Sequence, residues 1–230
     1  MAAIGAAALV VAACGGDGEG AAKPQPSSAP TLAGTTEPSP ATATTPPPPR
    51  GDGEAAELDA DPALPGTYFP PHPGRDGVFP SDDDRDHLPE DTFVPICTQA
   101  QIDANDVSLP LCYTSNPPTS GPHAGSPVPF RVLERAVPKE NLVHNMEHSG
   151  VVVWYNTEDA AVIAALAAIV NQELERGRLV VMSAYAGMEP ETIALTAWTR
   201  LDKFPVGELE RQRLIDFIEE HQRRFNPEGF

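Results

Sequence analysis

The sequence predicts an α+β fold: one small sheet in β-α-β-β-α order, covered by two helices and preceded by a Pro-rich tether. Three observations carry this. A β-branched and aromatic run, Val151-Val152-Val153-Trp154-Tyr155, reads as a buried strand. Val162, Ile163, Leu166, Ile169, Val170 and Leu174 follow at helical spacing. Leu209, Leu214, Phe217, Ile218 and Phe225 mark the apolar stripe of a terminal helix, ended by Asn226-Pro227.

The first strand is expected over Gly150–Tyr155. Thr157 is the expected N-cap of the first helix, with Glu158 and Asp159 in the favourable first turn and Gly177 as its C-terminal stop. Leu179 to Ser183 reads as a second strand, and a crossover through the helix would make it parallel to the first. Tyr185 to Glu191, with Gly187 and Pro190, is a loop. Thr192 to Thr199 alternates like a strand. Thioredoxin-like folds end in a similar order, so that topology is the alternative, here without a redox dithiol.

The chain divides into 1–14, 15–90 and 91–230. Residues 2–13 form a short apolar run ending Val11-Ala12-Ala13-Cys14, too short to span a bilayer. Small residues before a cysteine resemble a bacterial lipobox, which would make Cys14 the lipidated first residue of a lipoprotein. The basic residues that usually precede such a run are missing from it. Residues 15–90 are rich in Pro, Gly and Asp, and are expected to form a disordered tether. His72 and His87 are expected exposed within it, and Asp82-Asp83-Asp84 reads as a solvated charge run. Localisation is then extracytoplasmic, on a membrane, through lipid. With Cys14 set aside, Cys97 and Cys112 remain as an expected disulfide. The loop they close, about 15 residues, is worth roughly 3 kcal/mol in the chain-entropy model.

A formal net charge of −18 excludes nucleic acid as a partner, because phosphate binding needs clustered Lys and Arg. The domain is expected to be a monomer.

The chemistry concentrates in His144-Asn145-Met146-Glu147-His148. In a strand, His144, Met146 and His148 would share a face; in a helix, His144 and His148 still pair as i, i+4. The stiff segment Ser115–His123, with three prolines and Gly121, would present His123 to the same place. The leading reading is a site for copper or zinc with ligands His123, His144, His148 and Met146; Met182 or Met188 are substitutes for the thioether. In a strand Glu147 would face away from the histidines. The second reading is a non-catalytic envelope domain whose histidines are structural hydrogen-bond hubs. The third is a hydrolase using Glu147, Ser149 or Ser120, with no nucleophile elbow and no HExxH helix. No catalytic residue is assigned.

Asn116-Pro117-Pro118-Thr119-Ser120-Gly121-Pro122-His123, His144-Asn145-Met146-Glu147-His148-Ser149-Gly150, Thr196-Ala197-Trp198 and Pro227-Glu228 together resemble the bacterial domain-of-unknown-function family 3105 over residues 97–228. The resemblance implies export or membrane tethering and brings no established activity. The family commonly has Leu at Met146, which implies core packing there, and Gly at Ser149.

Overall fold

The computed structural model describes residues 60–72, 85–104 and 111–225, all within the compact unit Pro46–Phe230. The leader, Cys14, the tether up to residue 59 and Asp82–Asp84 lie outside the described residues. Residues 60–72 and 85–90 pack into the domain, so its folded part reaches back before residue 91.

Five strands form the main sheet in the order β1-β7-β6-β4-β5: β1 (Thr67–Tyr68), β4 (Val151–Asn156), β5 (Val180–Ala184), β6 (Thr192–Ala197) and β7 (Arg200–Pro205). The remaining pair, β2 (His87–Leu88) and β3 (His123–Ala124), is a separate parallel ladder. Among the described residues four α-helices accompany them: α1 (Gln99–Asp103), α2 (Lys139–Glu147), α3 (Ala160–Glu175) and α4 (Arg211–His221). As expected, β4 and β5 are parallel across α3, with Val151 opposite Val180.

The sheet carries two strands more than predicted. Arg200–Pro205 forms a hairpin with β6, and β1 adds to its far edge. Arg200 and Asp202 hid it, because both read as polar. Arg200 is buried, with its guanidinium 5.5 Å from the Tyr68 ring centroid, and Asp202 accepts two hydrogen bonds from Arg213. From Val151 on, the element order is β-α-β-β-β-α rather than the predicted β-α-β-β-α, with β7 the added strand.

Alternation along β4 divides the core. Val151 and Val153 pack with Leu166 and Val170 of α3 and with Leu214, Phe217 and Ile218 of α4. Val152 and Trp154 point the other way and meet Leu142, Val143 and Met146 of α2. The two predicted helices therefore cover one face, and α2 with irregular segments covers the other. Trp154 Nε1 donates to Thr196 Oγ1 at 2.7 Å, satisfying the indole inside the core.

Caps explain the helix limits. Asp159, not Thr157, caps α3: its carboxylate accepts from the Ala161 and Val162 N–H groups. Gly177, at φ 76°, closes α3 as expected. Helix α4 stops at His221, short of Asn226, and Phe225 stacks instead on Trp198. Cys97 and Cys112 form the expected disulfide.

Helix α2 ends in a Schellman turn: Ser149 N–H donates to Met146 O, and Gly150 N–H to Asn145 O. Ser149 sits at φ 69°, where a Cβ is disfavoured, which gives a physical reason for Gly at this position. Ser149→Gly should therefore raise stability by about 0.5 kcal/mol, once glycine's extra unfolded-state entropy is subtracted. Urea unfolding checks this; a lower midpoint would contradict it.

Candidate metal centre

The segment His144–His148 is helical. Residues 144–147 form the last turn of α2, and His148 is its C-cap. Leu142, Val143 and Met146 are buried in the apolar cluster under the sheet. Glu140, His144 and Glu147 share another stripe at i, i+4, i+7. That stripe meets β3. In the β2–β3 ladder His87 lies opposite His123. The imidazoles of His87, His123 and His144 and the Glu147 carboxylate converge here, one ligand atom from each lying within 4.8 Å of the others.

Backbone carbonyls orient two of these rings. His123 Nδ1–H donates to Gly121 O at 2.8 Å, and His144 Nδ1–H donates to Ala124 O at 2.6 Å. A carbonyl oxygen accepts and never donates, so in each neutral ring Nδ1 carries the proton and Nε2 presents a lone pair. His123 Nε2 lies 2.9 Å from Glu147 Oε2, and His87 Nε2 lies 3.7 Å from the same oxygen. His144 Nε2 lies 2.7 Å from His148 Nε2, with the two rings stacked. The second contact is satisfied when His148 Nε2–H donates. The first sets two acceptors face to face unless a proton or a cation lies between them.

Burial is uneven. His123, His144 and Glu147 are buried, His148 is half-buried, and the His87 side chain is 47% exposed. Burial alone would raise the Glu147 pKa. The His123 hydrogen bond and the fields of His123, His144 and His87 outweigh it, holding the carboxyl below its ordinary value. Burial holds His144 below the ordinary imidazole value against the pull of the Ala124 carbonyl, favouring the neutral, ligating form. Trp198 lies beside the cluster in a T-shaped contact with His123, the ring centroids 6.2 Å apart.

Residues 106–229 match the family described as "Protein of unknown function (DUF3105)". The chain belongs to this family. No curated protein and no solved structure matches it. His123, His144, Glu147 and His148 fall inside the DUF3105 region, and His87 precedes it.

The expected ligands fare differently. His123 and His144 meet in the convergent group, and His148 touches it through His144. Met146 does not join them: two residues on from His144, a helix turns a side chain by roughly 200°, into the core. Met182 and Met188 are likewise buried in the apolar clusters. Glu147 belongs to the group because the segment is helical, so the strand-based expectation that it faces away is corrected. His87 joins it, half exposed, through a pairing distant in sequence. Ser120 Oγ accepts from the His72 backbone N–H. His72 itself is fully buried, its Nε2–H donating to Cys112 O at 2.7 Å, against the expectation of exposure.

Burial lowers the His72 pKa despite the Cys112 carbonyl, and His144 shifts the same way. A histidine with a lowered folded pKa takes its proton more readily in the unfolded chain. Its stabilisation is complete above about pH 6.5 and declines as pH falls toward the folded value. Glu147, lowered from 4.5, adds a further loss below that pH. Thermal melts with chelator present should show stability falling from pH 6.5 downward. His72→Gln, which keeps a donor for Cys112 O, should shallow that fall; an unchanged slope would remove His72 from the account.

Proposed function

We propose that this chain is an envelope-anchored lipoprotein whose folded domain holds a divalent transition metal, zinc or copper, through His123, His144, Glu147 and His87. One observation carries the metal reading. Two backbone carbonyls tie up the Nδ1 protons of His123 and His144, which leaves both Nε2 atoms as ligating lone pairs, that of His123 2.9 Å from the buried Glu147 carboxylate and that of His144 2.7 Å from His148 Nε2, in a group whose ligand atoms lie within 4.8 Å. Metal-binding histidines are characteristically fixed in this way. Three imidazoles and one carboxylate suit zinc or Cu(II). The burial of Met146 removes the thioether that would have favoured Cu(I).

Tetrahedral donors about 2 Å from an ion sit roughly 3.3 Å apart. The group must therefore tighten from its 4.8 Å span. His87, the exposed donor, is free to supply that movement. A formal charge of −18 raises the local concentration of cations.

A buried histidine-hub role is the second reading, and His72 favours it, since it already ties one loop to another. The two readings separate under chelator. Protein purified without a His-tag should carry about one equivalent of metal per chain. EDTA should then lower its melting temperature, because a ligand at about 1,000 times its Kd stabilises by about 4 kcal/mol. In His144→Ala with Glu147→Ala, metal content should drop below about a tenth of wild type and EDTA should have no further effect. Equal metal content in both proteins would discard the metal centre. Equal melting temperatures with and without EDTA, beside a destabilised variant, would favour the hubs.

The anchor rests on the apolar run before Cys14, and the Cys97–Cys112 disulfide fits an oxidising compartment. In the native host, wild type should partition with membranes and carry diacylglycerol on Cys14 by mass spectrometry. Cys14→Ser should appear in the soluble fraction; recovery of both proteins there would refute the anchor.

A further inference from the structure

The Cys97–Cys112 bridge belongs to neither apolar cluster of the sheet; its cysteines pack with Ile102. What it secures is the segment that carries His123. Pro117, Pro118 and Pro122 lack backbone N–H groups, so side chains hold much of Ser115–His123 in place. Cys112 O accepts from His72 Nε2–H at 2.7 Å, and the His72 backbone N–H donates to Ser120 Oγ at 3.0 Å. Tyr113, next to Cys112, donates its hydroxyl to Pro122 O at 2.7 Å. Its backbone meets residues 95–97 in an isolated pairing, Tyr113 N–H donating to Pro95 O and Cys97 N–H to Tyr113 O, both at 2.8 Å. The bridge locks that short pairing covalently.

His72 and Tyr113 also grip Gly121 between them. A Cβ at Gly121 would sit 3.2 Å from His72 Cβ and 3.2 Å from Tyr113 Cδ1, and its φ of 114° suits glycine. Gly121 O is the acceptor that fixes the His123 Nδ1 proton and leaves Nε2 facing Glu147. A continuous run of contacts therefore joins the bridge to the tautomer of a candidate ligand: Cys112 to His72 and Tyr113, these to Gly121, and Gly121 to His123.

We infer that the Cys97–Cys112 disulfide makes metal retention redox-dependent. Closed, it holds the Gly121 carbonyl where His123 is a fixed ligand; opened, it lets that carbonyl move and weakens the site. The inference rests on the metal reading and names its regulation. A small dithiol is the reductant. One of its thiolates attacks Sγ of Cys97, the less buried partner at 8% exposure against 1%, and the S–S bond breaks with Cys112 leaving as a thiolate that takes a proton from water. The second thiolate attacks the mixed disulfide, releases Cys97 as a thiol and leaves the dithiol oxidised, two electrons having passed to the bridge. Neither cysteine belongs to the sheet's apolar clusters, so the core survives the opening.

The full chain with Cys14→Ser, which leaves Cys97 and Cys112 as its only cysteines, is compared oxidised and after reduction by a phosphine that is then removed without air. Zinc affinity is read by competition with a chromophoric chelator, and folding by circular dichroism. Reduction should raise the zinc Kd by about 10- to 100-fold with the far-ultraviolet spectrum retained. Tyr113→Phe, with the bridge closed, should raise it by about tenfold. Leu166→Ala, which weakens the opposite face of the sheet, should leave it unchanged; an equal loss there would mark general destabilisation and overturn the inference. Equal Kd values for the oxidised and reduced chains overturn the coupling while the metal reading stands. Should the reduced chain unfold, Tyr113→Phe decides: a weaker site upholds the link and an unchanged Kd overturns it. No zinc bound by the oxidised chain overturns the metal reading and this inference with it.

Discussion

Helix α2 has one favourable rotational setting, and the histidine cluster depends on it. Leu142, Val143 and Met146 are fully buried against Val152 and Trp154. Three such side chains are worth roughly 5–9 kcal/mol of apolar burial. The polar bonds that also hold the helix are smaller. Asn145 accepts from Val128 N–H and donates to Val128 O, and His144 donates to Ala124 O. Each contributes about 1 kcal/mol. Apolar burial therefore chooses the rotation, and the hydrogen bonds refine it. Once Met146 faces the sheet, helical periodicity turns His144 and Glu147 toward β3.

That setting creates an electrostatic problem. Three imidazoles and a carboxylate are brought together, most of them out of water. Each buried polar group left unsatisfied costs about 1–3 kcal/mol. Carbonyls satisfy the Nδ1 sides of His123 and His144, but that leaves His123 Nε2 an acceptor facing an ionised Glu147, while His144 Nε2 meets His148 Nε2. One proton on His123 relieves one contact. A cation bound there would relieve the same contact and draw on His87 and His144 as well, whose ligand atoms lie within 4.8 Å. The arrangement is more economical for a metal than for a hydrogen-bond hub, and His72 shows the contrast. Its backbone N–H donates to Ser120 Oγ, its ring donates to Cys112 O, and it sits outside the convergent group.

How much of this was legible in the sequence depends on the range of the interaction that decides each element. β4 and α3 were readable because unbroken β-branched residues and 3.6-residue spacing are local signals. β7 was not, because Arg200 is buried by contacts with Tyr68 and the Asp61 backbone, more than 130 residues away. Alternation at Leu201 alone was too short to reveal it. For α2 a signal existed and was outweighed by the strand that follows. Pro138 precedes a helical start, and Leu142, Val143 and Met146 recur at helical spacing. Reading that pattern would have placed Glu147 beside His144 and sent Met146 to the core. His87 had no comparable signal. It lies in Pro- and Asp-rich sequence, and only the long-range β2–β3 ladder sets it opposite His123.

The same division by range shapes the candidate centre. His123, His144 and Glu147 lie within the DUF3105 region, are buried, and are held by α2 and the Gly121–Ala124 segment. His87 comes from a segment before that region and is the exposed member. Three fixed donors and one outer donor make a site that is preorganised on its inner side and open on the other. A closed structural zinc site keeps four rigid ligands, whereas a site that exchanges its ion or accepts another ligand keeps one position accessible. The burial pattern matches the second kind. In the proposed centre, His123 and His144 with fixed tautomers and the buried Glu147 carboxylate would set affinity, and His87 would regulate access, because it is the exposed donor.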